Sequence, residues 1–290
     1  MIADPRHRLG PSGMSIVESL LALPVLLFVG FVIIQIGLLW HAKFAVSHAA
    51  LAAARHASLH FGSNAAIRDG VVQGLFPLMG RANSISEISG AIFKSGAEVT
   101  QGILMGWIRW EVLSPTRQSF MDWGAPGDPI LSPGVSPGDI EIPAHGVAGL
   151  AARKRPASGV AEVIQGLPVG ARSGQTLLEA NNLKLHLQVG IPLQMPLAGQ
   201  LLARVLSVWS GCGFGMGQPV HRVGLVDFGS DAAASLLHPS IECRALAAVD
   251  AQGHWRPRWP IEASATVQMQ TNARQSLMVL RDRQQSPIRR

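Results

Sequence analysis

The stretch Ser19–Trp40 reads SLLALPVLLFVGFVIIQIGLLW and holds no Asp, Glu, Lys, Arg or His in twenty-two residues. At about 1.5 Å of rise per residue, such a helix covers roughly 33 Å, enough to cross a hydrocarbon core of about 30 Å. Its only polar side chains are Ser19 and Gln35, whereas a soluble helix usually needs a polar face. A membrane span is therefore the leading reading, ahead of a cleaved secretory signal and of a buried soluble helix. The signal reading draws on Arg6 and Arg8 ahead of the run, but the run exceeds the usual apolar core of about 7 to 15 residues, and no clean end to the helical pattern follows it.

Lys and Arg flank the span almost evenly, with Arg6 and Arg8 before it and Lys43 and Arg55 after it. The positive-inside rule alone decides little. The chain beyond Phe61 has two cysteines, many prolines and no second apolar run, which suits export and favours a cytoplasmic N-terminus. Trp40 closes the run, where an indole suits the lipid–water boundary. Glu18 stands immediately before the run, at headgroup level and near the free amides of a helix start. With Ser15 it also has the spacing of a capping box.

The head Gly13-Met14-Ser15-Ile16-Val17-Glu18, followed by SLLALPVLL, resembles type IV pilin-like proteins, most closely the TadE and TadG group of minor pseudopilins from tight-adherence (Flp-type) pilus systems. The resemblance implies cleavage by a prepilin peptidase between Gly13 and Met14, with Glu18 as the fifth mature residue. A carboxylate there is a partner for the new ammonium of a neighbouring subunit, since an unpaired charge in lipid is costly. Two internal segments, GQTLLEANNLKLHLQVGIPLQMPLAG and WPIEASATVQMQT, resemble larger TadE-like proteins more loosely, and Val189 stands where a tyrosine is expected.

The 290 residues, with a net charge of +6, allow one sizeable domain or two small ones beside the span. The basic residues are dispersed, and no nucleic-acid module or basic patch interleaved with aromatics appears. Cys212 and Cys243 are the only cysteines. They are expected to form a disulfide outside the cytoplasm, closing a loop of about 30 residues worth about 3–4 kcal/mol. No metal-ligand spacing links them to His221, His238 or His254.

Helix is expected from near Ser15 to about Phe61, through Pro24 and the alanine-rich AALAAARHASL. Small residues at Ala45, Ala49, Ala52, Ala53 and Ala57 permit close approach of another helix, but they equally reflect helix propensity. A weaker helix follows at 65–79, and Ile85–Leu113 carries apolar residues at three- and four-residue intervals. Residues 114–156 are dense in turn formers and read as a long loop. Gln175–Ala180 and Leu197–Trp209 read as short helices. Strands are expected at Asn182–Val189, Ile241–Val249 and from Ile261 to Gln270, the first and third alternating cleanly.

The expected fold is α+β. A cytoplasmic leader-like segment (1–13) precedes a long N-terminal helix (14–61) that includes the transmembrane span 19–40. An extracytoplasmic domain with a mainly antiparallel sheet and packed helices (62–280) follows, and then a loose basic tail (281–290). The sequence contains no G-x-S-x-G, H-E-x-x-H or phosphate-loop motif, so neither enzyme nor cofactor is expected. The resemblance implies a structural pilus or secretion component of the bacterial inner membrane with a periplasmic domain. Its partners would be other pilus or pseudopilin subunits, the inner-membrane assembly platform, the prepilin peptidase as processing enzyme, and the lipid bilayer, with no nucleic acid. The alternative is an unprocessed membrane-anchored binding or adhesion module.

Overall fold

The computed structural model describes residues 16–79, 87–127, 134–136, 138–144, 155–195, 198–209, 241–248 and 255–280. Helix α1 (Ile16–Leu59) runs through Pro24 without a break and extends about 66 Å. Its C-terminal part turns a row of small residues inward, namely Ala42, Val46, Ala49, Ala50, Ala53, Ala54 and Ala57, all at most 1% exposed. Spacings of three and four place them on one face, and that face is the centre of the main core.

Helix α2 (Asn64–Met79) folds back on this seam. Its Gly70 and Gly74 make the approach possible: a methyl group at Gly70 would lie 2.6 Å from Ala53 Cα, and one at Gly74 2.4 Å from Ala49 Cα. Glycines that look like helix breakers in the sequence are therefore packing residues, and the alanines serve close helix approach within one chain.

Helix α3 (Ile88–Leu104) is shorter than the periodicity of 85–113 suggests. Gly106, at φ +76°, stops it. Trp107 N donates to Gly102 O at 3.0 Å and Gly106 N to Ile103 O at 3.2 Å, the paired bonds of a Schellman ending. The β-branched and aromatic segment beyond becomes strand β1 (Ile108–Ser114).

Helix α4 (Arg117–Trp123) and strands β2 (Ala125–Pro126) and β3 (Ile140–Ile142) lie inside the region expected to be a plain loop. Thr116 and Ser119 form a reciprocal cap that starts α4. Strands β4 (Val160–Ile164) and β5 (Leu167–Gly170) make a hairpin whose turn places Gln165 and Gly166 at positive φ. Helix α5 (Leu177–Ala180) is capped by Thr176 and Glu179.

Strand β6 (Asn182–Pro192) is the centre of a three-stranded antiparallel sheet ordered β1-β6-β7, with β7 spanning Arg258–Gln268. The register pairs Trp110 with Leu187 and Leu187 with Ala263. Leu183, Leu185, Leu187 and Val189 are completely buried beneath α1, in line with the alternation in the sequence.

The segment expected as the second strand is instead a helix, α7 (Ile241–Leu246). Its composition explains the outcome: Glu, Arg, Ala and Leu are good helix formers, and a short alternation does not outweigh them. Helix α6 (Ala198–Trp209) precedes it in the chain. Strand β8 (Ala273–Arg274) completes a second small sheet ordered β2-β3-β8. The architecture is a long N-terminal apolar helix followed by a mixed α/β domain with antiparallel sheets and packed helices.

The expected Cys212–Cys243 disulfide reaches beyond the described residues. No disulfide bond joins two described residues, and Cys212 lies outside them. Cys243 is 1% exposed and is not a free thiol. It packs with Ala203 and Leu246 in a small second core, so what the described fold shows of it is apolar packing. The glycine-rich 211–217, the segment 231–237 and the basic tail also lie outside the described residues.

Candidate functional site

Helix α1 has two chemically different halves. From Leu20 to Ile36 the large apolar side chains Leu20, Leu21, Leu23, Val25, Leu26, Leu27, Val29, Ile33, Ile34 and Ile36 are 49–72% exposed. The most apolar window of the helix has a mean hydropathy of 2.6 and is only 6% buried within the protein. A core helix of a soluble domain with this composition would be covered, so burial by its own domain does not account for the run. By length and composition it is able to cross a membrane.

Gln35 is the exception within the run. It is 2% exposed, and its Oε1 accepts a hydrogen bond from Met195 N at 3.0 Å. A polar side chain in an apolar stretch thus ties the connection between β6 and α6 to the rod. Trp40 is 68% exposed, and its ring lies 6.4 Å from that of Phe44 one turn further on.

The base of the rod is clamped to the domain. Lys43 Nζ donates to the Glu262 carbonyl of β7. At the C-terminus, Ser58 O accepts from Gln270 N, Thr271 N and Thr271 Oγ1, each at 3.1 Å. Phe61 adopts φ +56°, its amide donates to Thr271 Oγ1 at 2.9 Å, and Gly62 N reaches back to Ala57 O at 2.9 Å. These bonds satisfy groups that a helix end leaves without partners.

Arg274 is buried at this seat, and Asp122 is buried where α4 meets β5. Arg274 Nε donates to Glu141 Oε1 at 2.8 Å, and its guanidinium lies 4.4 Å from the Phe61 ring centroid. It therefore joins the second sheet to the end of α1. Asp122 accepts hydrogen bonds from Ser158 Oγ, from Ser173 N and Oγ at 2.7 and 2.6 Å, and from Arg172 N at 3.2 Å. Burial pushes its pKa up, but these bonds together outweigh burial and hold the carboxyl below its ordinary 3.8. Arg258, stacked 3.7 Å above the Trp107 ring centroid, is lowered to about 10 by burial, with Glu98 opposing and Arg256 adding to the shift. These groups have structural partners. Among the described residues, no cluster of three or more His, Cys, Asp and Glu could hold a metal.

Gly13 and Met14 lie outside the described residues, and Glu18 lies in the first turns of α1. Residues 13–55 match the family model of the TadE-like proteins. Over that stretch, the chain is similar to TadE-like proteins. No curated protein and no solved structure matches the chain. The TadE-like segment begins at Gly13, takes in Glu18, the whole apolar rod and Trp40, and ends within the buried alanine seam. The match does not reach β6 or β7, so the two internal resemblances do not extend the family into the domain. The structure brings those two segments together as neighbouring strands.

The seam revises one expectation about the TadE-like helix. Its buried alanines are covered by α2 and the sheet, so the helix that approaches them belongs to the same chain. Gln35 and the pair Gly70 and Gly74 were the residues whose roles sequence reasoning missed. The available signals were a lone amide in an apolar run and a G-x-x-x-G spacing.

Proposed function

We propose that this chain is a pseudopilin-like structural component of a tight-adherence pilus or related secretion assembly. The α1 rod is anchored in the bacterial inner membrane with its N-terminus cytoplasmic. A prepilin peptidase cuts the leader, residues 1–13, between Gly13 and Met14. Glu18 then pairs with the Met14 ammonium of a neighbouring subunit, because each charge alone is costly in lipid. Residues 14–61 form the anchoring helix and 62–280 the periplasmic domain, which docks to other subunits or to the assembly platform, with a basic tail at 281–290.

The observation that carries this reading is the uncovered apolar rod: a family-matched helix whose apolar half the folded domain leaves bare. Assembly proceeds through helix packing along that half and through contacts of the domain. Mass spectrometry of the membrane-extracted chain, expressed with the peptidase, tests it. A mature N-terminus at Met14, abolished by Gly13→Leu, is expected. An intact Met1 in the presence of the peptidase, or unchanged truncation in the variant, contradicts processing and leaves an unprocessed membrane-anchored binding module.

A further inference from the structure

Helix α6 is apolar on two opposite sides. At about 100° per residue, Ala203, Leu206 and Ser207 fall on one side, where Ala203 and Ser207 are buried and Leu206 packs against the small core that holds Cys243 and Leu246. Leu201, Val205, Val208 and Trp209 fall on the other, and are 51%, 53%, 59% and 84% exposed. Gln200 and Arg204 lie between, both exposed, with the Arg204 guanidinium 5.9 Å from the Trp255 ring centroid. A helix with one apolar face in a core and a second left bare requires a second apolar medium.

The place of α6 in the fold identifies that medium. The helix rests against α1, and the segment leading into it is fixed to the rod by the bond from Met195 N to Gln35. Gln35 lies five residues before Trp40, about 7.5 Å along the axis toward the apolar end. If Trp40 marks the lipid–water boundary, the domain dips below that boundary where α6 begins. Amphipathic helices in an interface bury their apolar faces by about 5–10 Å, the same depth.

We infer that α6 is an interfacial helix that seats Leu201, Val205, Val208 and Trp209 in the headgroup and acyl boundary of the bilayer that α1 crosses. Arg204 and Gln200 remain at headgroup level, where a guanidinium can meet lipid phosphate while its stem lies along the apolar surface. The bilayer then holds the domain at two points, a span and a flat helix, and so sets its tilt as well as its attachment. This inference rests on the membrane reading of α1.

The test uses the full chain in phosphatidylcholine and phosphatidylglycerol vesicles, with phosphatidylcholine brominated on its acyl chains as the quencher. Tryptophan fluorescence of the unaltered chain should contain a lipid-quenched component that Trp209→Phe reduces to the part contributed by Trp40. Leu201→Asn with Val205→Asn changes only exposed positions, and should weaken quenching of Trp209 while leaving the circular dichroism unchanged. Equal quenching with and without Trp209 overturns the inference. So does a blue-shifted Trp209 emission that bromolipid does not quench, which assigns the face to protein instead. Flotation separates the two levels: a chain that floats with the vesicles but shows no Trp209 quenching removes α6 from the interface and leaves α1 in the bilayer, whereas a chain that does not float removes both.

Discussion

Gly74 carries more of the architecture than any large side chain near it, because its missing methyl group lets two backbones meet. A Cβ there would lie 2.4 Å from Ala49 Cα and 2.9 Å from Ala49 Cβ, contacts that neither helix relieves without moving. Gly74→Val is expected to destabilise the full chain in detergent by about 3 kcal/mol, at the upper end of overpacking costs, measured by thermal unfolding. A stability within error of the unaltered protein would mean that α2 does not lie on the alanine seam. Arg274→Met leaves Glu141, 3% exposed, without its buried counter-charge, and should cost about 3–5 kcal/mol in urea unfolding. Adding Glu141→Gln should recover part of that loss, since the penalty comes from the stranded charge. Asp122 supplies a pH dependence. Its folded pKa lies below 3.8, so its contribution is fully present above 3.8 and is lost as pH falls through the depressed folded value. Asp122→Asn should be less stable than the parent by about 1–3 kcal/mol at about pH 7, and the gap should narrow as the pH falls below 3.8. A gap that stays constant would remove the carboxylate from the account.

Among the elements, α1 and the sheet were legible in the sequence for opposite reasons. The rod declares itself by what it lacks, twenty-two residues without charge. Strands β6 and β7 declare themselves by strict alternation, and Leu183, Leu185, Leu187 and Val189 are buried as that alternation requires. The remaining strand of the sheet was hidden, since Ile108 and Trp107 continue the helical spacing of α3 and only Gly106 at positive φ breaks it. Segment 241–246 failed the other way, its alternation being too short to overrule helix-forming residues. Within 114–156, α4 had a local signal in the Thr116 and Ser119 cap, whereas the short strands β2 and β3 depend on partners elsewhere, such as Arg274 pairing with Glu141, and no local pattern announces them. Of the candidate site, the rod and Trp40 could be read directly, whereas Gln35 gains its meaning only from Met195. Gln35→Leu should strand the Met195 amide. It should raise hydrogen exchange there by about tenfold or more, the equivalent of losing about 1–3 kcal/mol of local stability; unchanged exchange would show that the bond does not hold α6 to the rod.

For the whole molecule, the division of α1 into a bare half and a buried half explains why one helix both anchors and organises. The alanine seam is committed to the chain's own domain, so destabilising that domain should loosen the base of the rod without altering its apolar half. The bare half is the part left for lipid and for neighbouring helices, and it lies within the family-matched segment. Membrane attachment should therefore survive Gly74→Val, even though the domain is weakened. The most direct test of the membrane reading is fractionation of cells expressing the full chain, followed by an alkaline carbonate wash of the membranes. The chain is predicted to stay in the membrane pellet and to need detergent for release. Folded chain recovered from the soluble fraction without detergent would contradict it.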